Sequence, residues 1–153
     1  MAIRKEYKMG TEARAAITRV AVDVGAILGK TLGPAGRNYQ IPEGITNDGK
    51  TILSHIRFAD ECEDNVALAF HEIANRQDAD AGDGTTTATV IAAELITHII
   101  GKVPDLDVMI PGQASVMDLS RQLEEEKNEA VALLEKTATP VTTLEELEKV
   151  AIT

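Results

Sequence analysis

DADAGDGTTTATV, residues 78–90, is the stretch on which the reading of this chain turns. Three aspartates and two glycines stand directly before four threonines, and the run then enters an apolar pattern at Val90 and Ile91. Consecutive threonines suit a helix interior poorly, because β-branched side chains lose rotamer freedom there. They suit the first turn of a helix, where hydroxyls and unpaired N–H groups face whatever sits on the helix end. Such an end attracts anions, phosphate above all.

The rest of the composition narrows the class. A chain of 153 residues supports one domain with a real core and is too short for two of ordinary size. Hydrophobic residues make up 44%, near the globular average. A net charge of -10 excludes electrostatic capture of a nucleic-acid backbone or an anionic membrane as the main task. One cysteine, Cys62, cannot close an internal disulfide, which fits a reducing compartment. No apolar run reaches membrane-spanning length, and MAIRKEYKMG at the N-terminus has no signal-peptide character. A cytoplasmic address is expected. Aromatic residues are only 3%, so the core must come from Ala, Val, Ile and Leu, which suits closely packed helices.

Working outward, Ala13, Ile17, Val20, Val24, Ile27 and Leu28 recur at helical spacing and predict a helix from Gly10 to Leu32, stopped by Gly33-Pro34. Arg37 to Ile41 and Gly44 to Asn47 flank Pro42-Glu43 and predict a small hairpin. A short helix follows over Thr51 to Ile56. Val66, Phe70, Ile73 and Ala74 mark a second long helix ending before the acidic stretch, and a third runs from Gly84 to Lys102. Val103 to Ala114, with two prolines and a glycine, reads as a loop. Ser115 to Asp118 has capping-box spacing and opens a helix through Leu119, Leu123, Val131 and Leu134. TTLEELEKVA starts another.

One formal motif competes for the phosphate. GITNDGKT, Gly44 to Thr51, matches G-x-x-x-x-G-K-[ST], the phosphate loop of many NTPases. That loop should follow a buried strand and precede a long helix in a parallel α/β fold. Here the preceding RNYQI is short and partly polar, and Ile45 and Asp48 sit badly where backbone amides should wrap phosphates. A fuller reading joins three segments: TLGPAGRN (31–38), TNDGKT (46–51) and AGDGTTTATV (81–90). Each places Gly beside Thr or Asp at a helix end. Together they offer the N–H donors, hydroxyls and carboxylates that a triphosphate and its Mg2+ require.

These three segments, in this order and spacing, resemble the nucleotide-binding signature of the chaperonins, ring-forming ATPases that fold other proteins. GRN after TLGP and ATV after GDGTTT resemble the bacterial and organellar group, whereas TNDG followed by TIL is nearer the archaeal one. The resemblance runs from about Gly10 to the end and includes SVMDLSRQLEEEKNEAVALLEK.

The resemblance implies a mainly α fold: the N-terminal half of a chaperonin equatorial helical domain with one small β-hairpin, residues 1–130, and the start of the intermediate domain, 131–153. It implies ATP and Mg2+ as ligands, with K+ as a monovalent cation. Thr31, Leu32, Gly33 and Pro34 would cradle the nucleotide and bring oxygen near that cation. Asn47, Asp48 and Gly49 match the loop near the γ-phosphate, with Asp48 the catalytic residue that helps orient the attacking water. Asp83 matches the Mg2+-binding aspartate. Gly84, Thr85, Thr86 and Thr87 match the helix start that holds phosphates. Implied partners are unfolded proteins, ring subunits and a co-chaperonin, with no nucleic acid and no membrane.

Departures from the family pattern are equally specific. Asn47 stands where the bacterial group usually has lysine, and Ala35 replaces another frequent lysine. The hairpin between Arg37 and Thr46 is short, which puts the usual ring contacts in question, and the loop from Val103 to Gln113 is long. A complete chaperonin is more than three times this length. The chain stops in the segment corresponding to the intermediate domain, before the second catalytic aspartate and the substrate-binding helices. The expectation is therefore an N-terminal fragment of an ATP hydrolase, inactive by itself. A truncated, non-catalytic relative acting as an interaction or regulatory protein is the alternative.

Plainer readings apply residue by residue. D-G-T is often only a helix cap, and Asp48 in N-D-G only a turn residue. His55, His71, His98 and Cys62 have no metal-ligand spacing among them. Glu124 to Glu126 suits a solvated helix face.

Overall fold

A computed structural model describes residues 7–100 and 116–152. The chain divides into two compact units, Met1–Val108 and Met109–Thr153. In the first, helix α1 spans Gly10–Gly29 and buries Ala16, Val20, Ala21, Val24 and Leu28, one face of the predicted period. It ends earlier than the expected Leu32. The Thr31 N–H and hydroxyl both donate to the Leu28 carbonyl, at 2.9 and 2.8 Å, closing a tight turn. Gly33 then takes φ +76, and as the residue before a proline it could not continue the helix.

Strands β1 (Tyr39–Ile41) and β2 (Gly44–Thr46) form the expected hairpin, antiparallel, with Tyr39 opposite Thr46 and Ile41 opposite Gly44. The Tyr39 hydroxyl donates to the Ile27 carbonyl at 3.1 Å and moors the hairpin to α1. Helix α2 covers Gly49–His55, starting before the expected Thr51 because Asp48 caps it. Ile52 and Leu53 are its buried residues besides Gly49.

Helix α3 spans Glu61–Ala81 and is capped by Asp60, whose carboxylate accepts the Cys62 and Glu63 N–H groups at 2.9 and 3.1 Å. It does not stop before the acidic stretch as expected. Asp78 to Ala81 form its last turn, and Gly82, left-handed at φ 70, ends it by donating its N–H to the Asp78 carbonyl at 2.9 Å. Helix α4, Thr85–Ile100, begins one residue after the expected Gly84; its expected end at Lys102 lies outside the described residues.

The core of this unit joins Val20, Val24 and Leu28 of α1, Ile52 and Leu53 of α2, Ala67, Phe70 and Ala74 of α3 and Ala93 of α4. It is built of small aliphatics around one buried phenylalanine, as the low aromatic content predicts. Helix α1 packs most extensively on α4. A Cβ on Gly25 would lie 3.2 Å from that of Ala93, so small residues let these two helices approach closely.

In the second unit, α5 covers Val116–Thr137 and α6 Leu144–Ile152. The expected division at residue 130 falls inside α5. Thr143 opens α6 with a capping box: its hydroxyl accepts the Glu146 N–H at 3.3 Å, and Glu146 accepts the Thr143 N–H at 3.0 Å. The N–H groups of Thr142 and Thr143 hold the Glu146 carboxyl below its ordinary range. Glu124 to Glu126 are exposed, as a solvated face should be. The loop expected at 103–114 and the cap expected at Ser115 lie outside the described residues.

Candidate functional site

Two of the three sequence segments meet directly. Gly49 is buried at the start of α2 against Thr86 in the first turn of α4: a Cβ on Gly49 would strike the Thr86 hydroxyl and lie 2.9 Å from its Cβ and 3.1 Å from its Cα. Only glycine fits there. The NDG loop and the GDGTTT helix start therefore lie side by side, although Gly49 and Asp83 are 34 positions apart in the sequence.

The helix start itself follows from local chemistry. Gly84 adopts φ +76, which turns the chain into α4, and its carbonyl accepts the Ala88 N–H at 2.9 Å as the first helical bond. The N–H groups of Thr85, Thr86 and Thr87 precede the point at which intrahelical acceptors exist. Thr87 is exposed, whereas Thr85 and Thr86 are half-buried. Thr89, fully buried, uses its hydroxyl on the Thr85 carbonyl at 2.8 Å, so it belongs to the core. Asp83 is exposed; one carboxylate oxygen accepts the Gly84 N–H at 2.6 Å, and its carbonyl accepts the Gln77 amide at 2.8 Å.

Asp48 is first of all a cap. Its carboxylate accepts the Thr51 N–H at 2.9 Å and the Thr51 hydroxyl, and its own N–H donates to the Thr46 hydroxyl at 3.1 Å. The Thr51 hydroxyl, foremost, holds the Asp48 carboxyl below its ordinary value against the opposing effect of partial burial. Asn47 beside it is exposed.

The first segment is seated on the same core through α1. Thr31 is buried, and its hydroxyl is committed to Leu28. A Cβ on Gly36 would strike the Thr31 carbonyl oxygen and lie 2.9 Å from that of Gly33, so the turn is wound tightly on itself. Leu32, Gly33 and Pro34 are exposed on its outside.

The competing phosphate-loop reading lacks its framework. Among the described residues the sheet before GKT is a two-stranded antiparallel hairpin, and the helix after it has 7 residues. Lys50, which would have to hold phosphate, pairs instead with Asp78 at 2.6 Å.

Sequence reasoning missed the residues that organise the site at long range: Gln77, Asp78, and His55, whose ring bridges the Glu43 carboxylate at 2.9 Å and the Thr51 carbonyl at 2.9 Å. The Thr51 carbonyl and then Glu43 raise the His55 pKa. The Glu43 N–H and then His55 lower that of Glu43. No spacing in the sequence announces these pairs.

The donor set fits a nucleotide with its metal. Among the described residues no group of three or more His, Cys, Asp or Glu side chains could hold a metal ion unaided. An exposed aspartate beside a helix start suits Mg2+, which keeps several waters and takes its remaining ligands from phosphate oxygens. No helix among the described residues is long and apolar enough to cross a membrane.

Comparison with known proteins extends this. The TCP-1/cpn60 chaperonin family matches residues 24–153. Mitochondrial heat shock protein 60 of Candida albicans is 34% identical over 152 residues, covering 96% of this chain and 26% of that protein. The chloroplastic RuBisCO large subunit-binding protein subunit alpha of Brassica napus is 33% identical over 141 residues, covering 90% of this chain and 24% of its own. The crystal structure of chaperonin gp146 from bacteriophage EL 2 (Pseudomonas aeruginosa), in the presence of ATP-BeFx, superposes with a TM-score of 0.69 at 29% identity, over 86% of this chain and 22% of that one. The chain spans about a quarter of the length of these relatives.

Proposed function

Because this chain belongs to the TCP-1/cpn60 chaperonin family, we propose that it is the N-terminal ATP-binding segment of an ATP-dependent chaperonin that assists protein folding. The observation that carries this reading is the seating of Gly49 on Thr86, which brings the NDG loop against the GDGTTT helix start. A relative crystallised in the presence of ATP-BeFx supports it.

In this proposal the first-turn N–H groups of α4 and the hydroxyls of Thr85, Thr86 and Thr87 take phosphate oxygens, with Gly84 allowing the close approach. The Asp83 carboxylate holds Mg2+, whose chemistry is to neutralise charge on the phosphates. Asp48 orients the attacking water. Asn47 and Gly49 line the γ-phosphate side. Thr31, Leu32, Gly33 and Pro34 cradle the nucleotide, and the oxygens of that turn serve K+; the Thr31 hydroxyl donates its proton to the Leu28 carbonyl and keeps its lone pairs.

Hydrolysis, ring subunits, a co-chaperonin and unfolded clients belong to the proposal for the whole protein, and the 153-residue chain alone is expected not to turn over ATP. The cytoplasmic address stays a proposal beside relatives whose names place them in mitochondria and chloroplasts.

The test is amide NMR of the chain titrated with Mg-ATP. Shifts confined to Gly33, Gly49 and Gly84 to Thr87 support the proposal. Shifts absent there, or centred on other helices, refute it.

A further inference from the structure

We infer that the C-terminal end of α3 sets the gap between the two acidic loops of the site, with Gln77 and Asp78 as positioning residues. Its consequence for nucleotide binding rests on the proposed function; the mechanical claim does not.

Successive residues on a helix point about 100° apart, so neighbouring side chains can reach different elements. Gln77 reaches forward to the Asp83 carbonyl at 2.8 Å. Its amide nitrogen also lies 3.4 Å from where a Cβ on Gly84 would stand, directly against the turn into α4. Asp78 reaches the other way, to the Lys50 ammonium at 2.6 Å. Lys50 is bonded to Gly49, which rests on Thr86.

These contacts close a ring: Gly49 and Lys50 to Asp78, Gln77 to Asp83 and Gly84, and Thr86 back to Gly49. Three fasteners of different kinds hold it, an ion pair, an amide-to-carbonyl hydrogen bond and a van der Waals contact. The helix end from which the two side chains project is itself fixed, since the Asp78 carbonyl accepts the Gly82 N–H at 2.9 Å. Asp48 and Asp83 sit on the two arms of this ring. Loosening either polar fastener frees one arm while leaving the core of Val20, Val24 and Phe70 untouched.

The experiment uses the full chain without nucleotide first. Backbone 15N order parameters are measured at Gly49, Gly82 and Gly84 in the parent, in Gln77→Glu, in Lys50→Glu, in Asp78→Lys and in the charge-reversed pair Lys50→Glu/Asp78→Lys. Gln77→Glu keeps the side chain's shape and removes its N–H donor. Expected are values near 0.85 in the parent, a fall toward 0.6 at Gly82 and Gly84 in Gln77→Glu and at Gly49 in each single charge variant, and recovery in the reversed pair. Unchanged values in the single variants, or a reversed pair no better than they are, overturn the inference. Titration with ATP then reads the consequence: the single variants should need about two- to fivefold more Mg2+ for half-saturation than the charge-reversed pair, whose net charge equals the parent's. A parent that takes no Mg-ATP refutes the nucleotide reading, and the order parameters alone then decide the positioning role.

Discussion

Gly49 and Thr86 touch so closely that the first residue of α2 has no room for a side chain beside the first turn of α4. The contact is where the acidic loop at Asp48 and the threonine-lined helix start become one surface. Gly49→Ala should therefore destabilise the first unit by about 1–3 kcal/mol, the usual cost of overpacking, despite alanine's better helix propensity. Urea unfolding checks this. Combining it with Thr86→Gly should recover part of the loss, and strictly additive effects would show that the two residues do not meet in solution.

Asp48 serves as a helix cap before any catalytic duty. Asp48→Ala should cost about 1 kcal/mol of stability, while Asp48→Asn, which still accepts the Thr51 N–H, should cost a few tenths. The Asp48 pKa is depressed, so its contribution is present above the unfolded value near 3.8 and is lost as pH falls through the folded one. Equal losses for the two substitutions would contradict the capping role.

Glu63 is a buried carboxylate at 6% exposure, and Arg19 on α1 is its ion partner. Arg19→Ala removes the hydrogen-bonded partner of that carboxylate and leaves it the longer-range attraction of Lys8. Because Arg19 is itself 62% exposed, water softens the penalty, and about 1–3 kcal/mol is expected instead of the full cost of a broken buried pair. Arg19→Ala with Glu63→Gln should be more stable than Arg19→Ala alone, measured by thermal unfolding.

His55 and Glu43 form a clasp between α2 and the hairpin turn that depends on pH. The His55 pKa is raised, so its contribution is complete below about 6.5 and lost as pH rises through the folded value. The Glu43 pKa is lowered, so its contribution is present above about 4.5 and lost as pH falls further. The clasp is strongest between those limits. In an NMR titration, Glu43→Gln should lower the His55 midpoint toward its ordinary value; no movement would show that the pair does not form.

How much of this could be read beforehand differs by element. The spacing of Val20, Val24 and Leu28 gave away α1, and the threonine run at 85–87 gave away the start of α4, because periodicity and helix-end chemistry are local. The end of α3 was misplaced because Gly82, and not the aspartates before it, breaks the helix. The three-segment signature pointed to the family without any structure. What brings Gly49 to Thr86, Gln77 to Asp83 and Lys50 to Asp78 is tertiary packing, and no local pattern records it. Lys50 stood out only within a phosphate-loop pattern, yet its partner is an aspartate 28 residues away.

The central claim is that the three segments hold Mg-ATP through Asp83 and the start of α4. Calorimetric titration of the chain with Mg-ATP, beside Asp83→Ala and Lys50→Ala, tests it most directly. Expected is one site in the parent, lost in Asp83→Ala and weakened by no more than about fivefold in Lys50→Ala, whose exposed ion pair is worth at most about 1 kcal/mol. No binding in the parent, binding that survives Asp83→Ala, or binding abolished by Lys50→Ala would contradict the account.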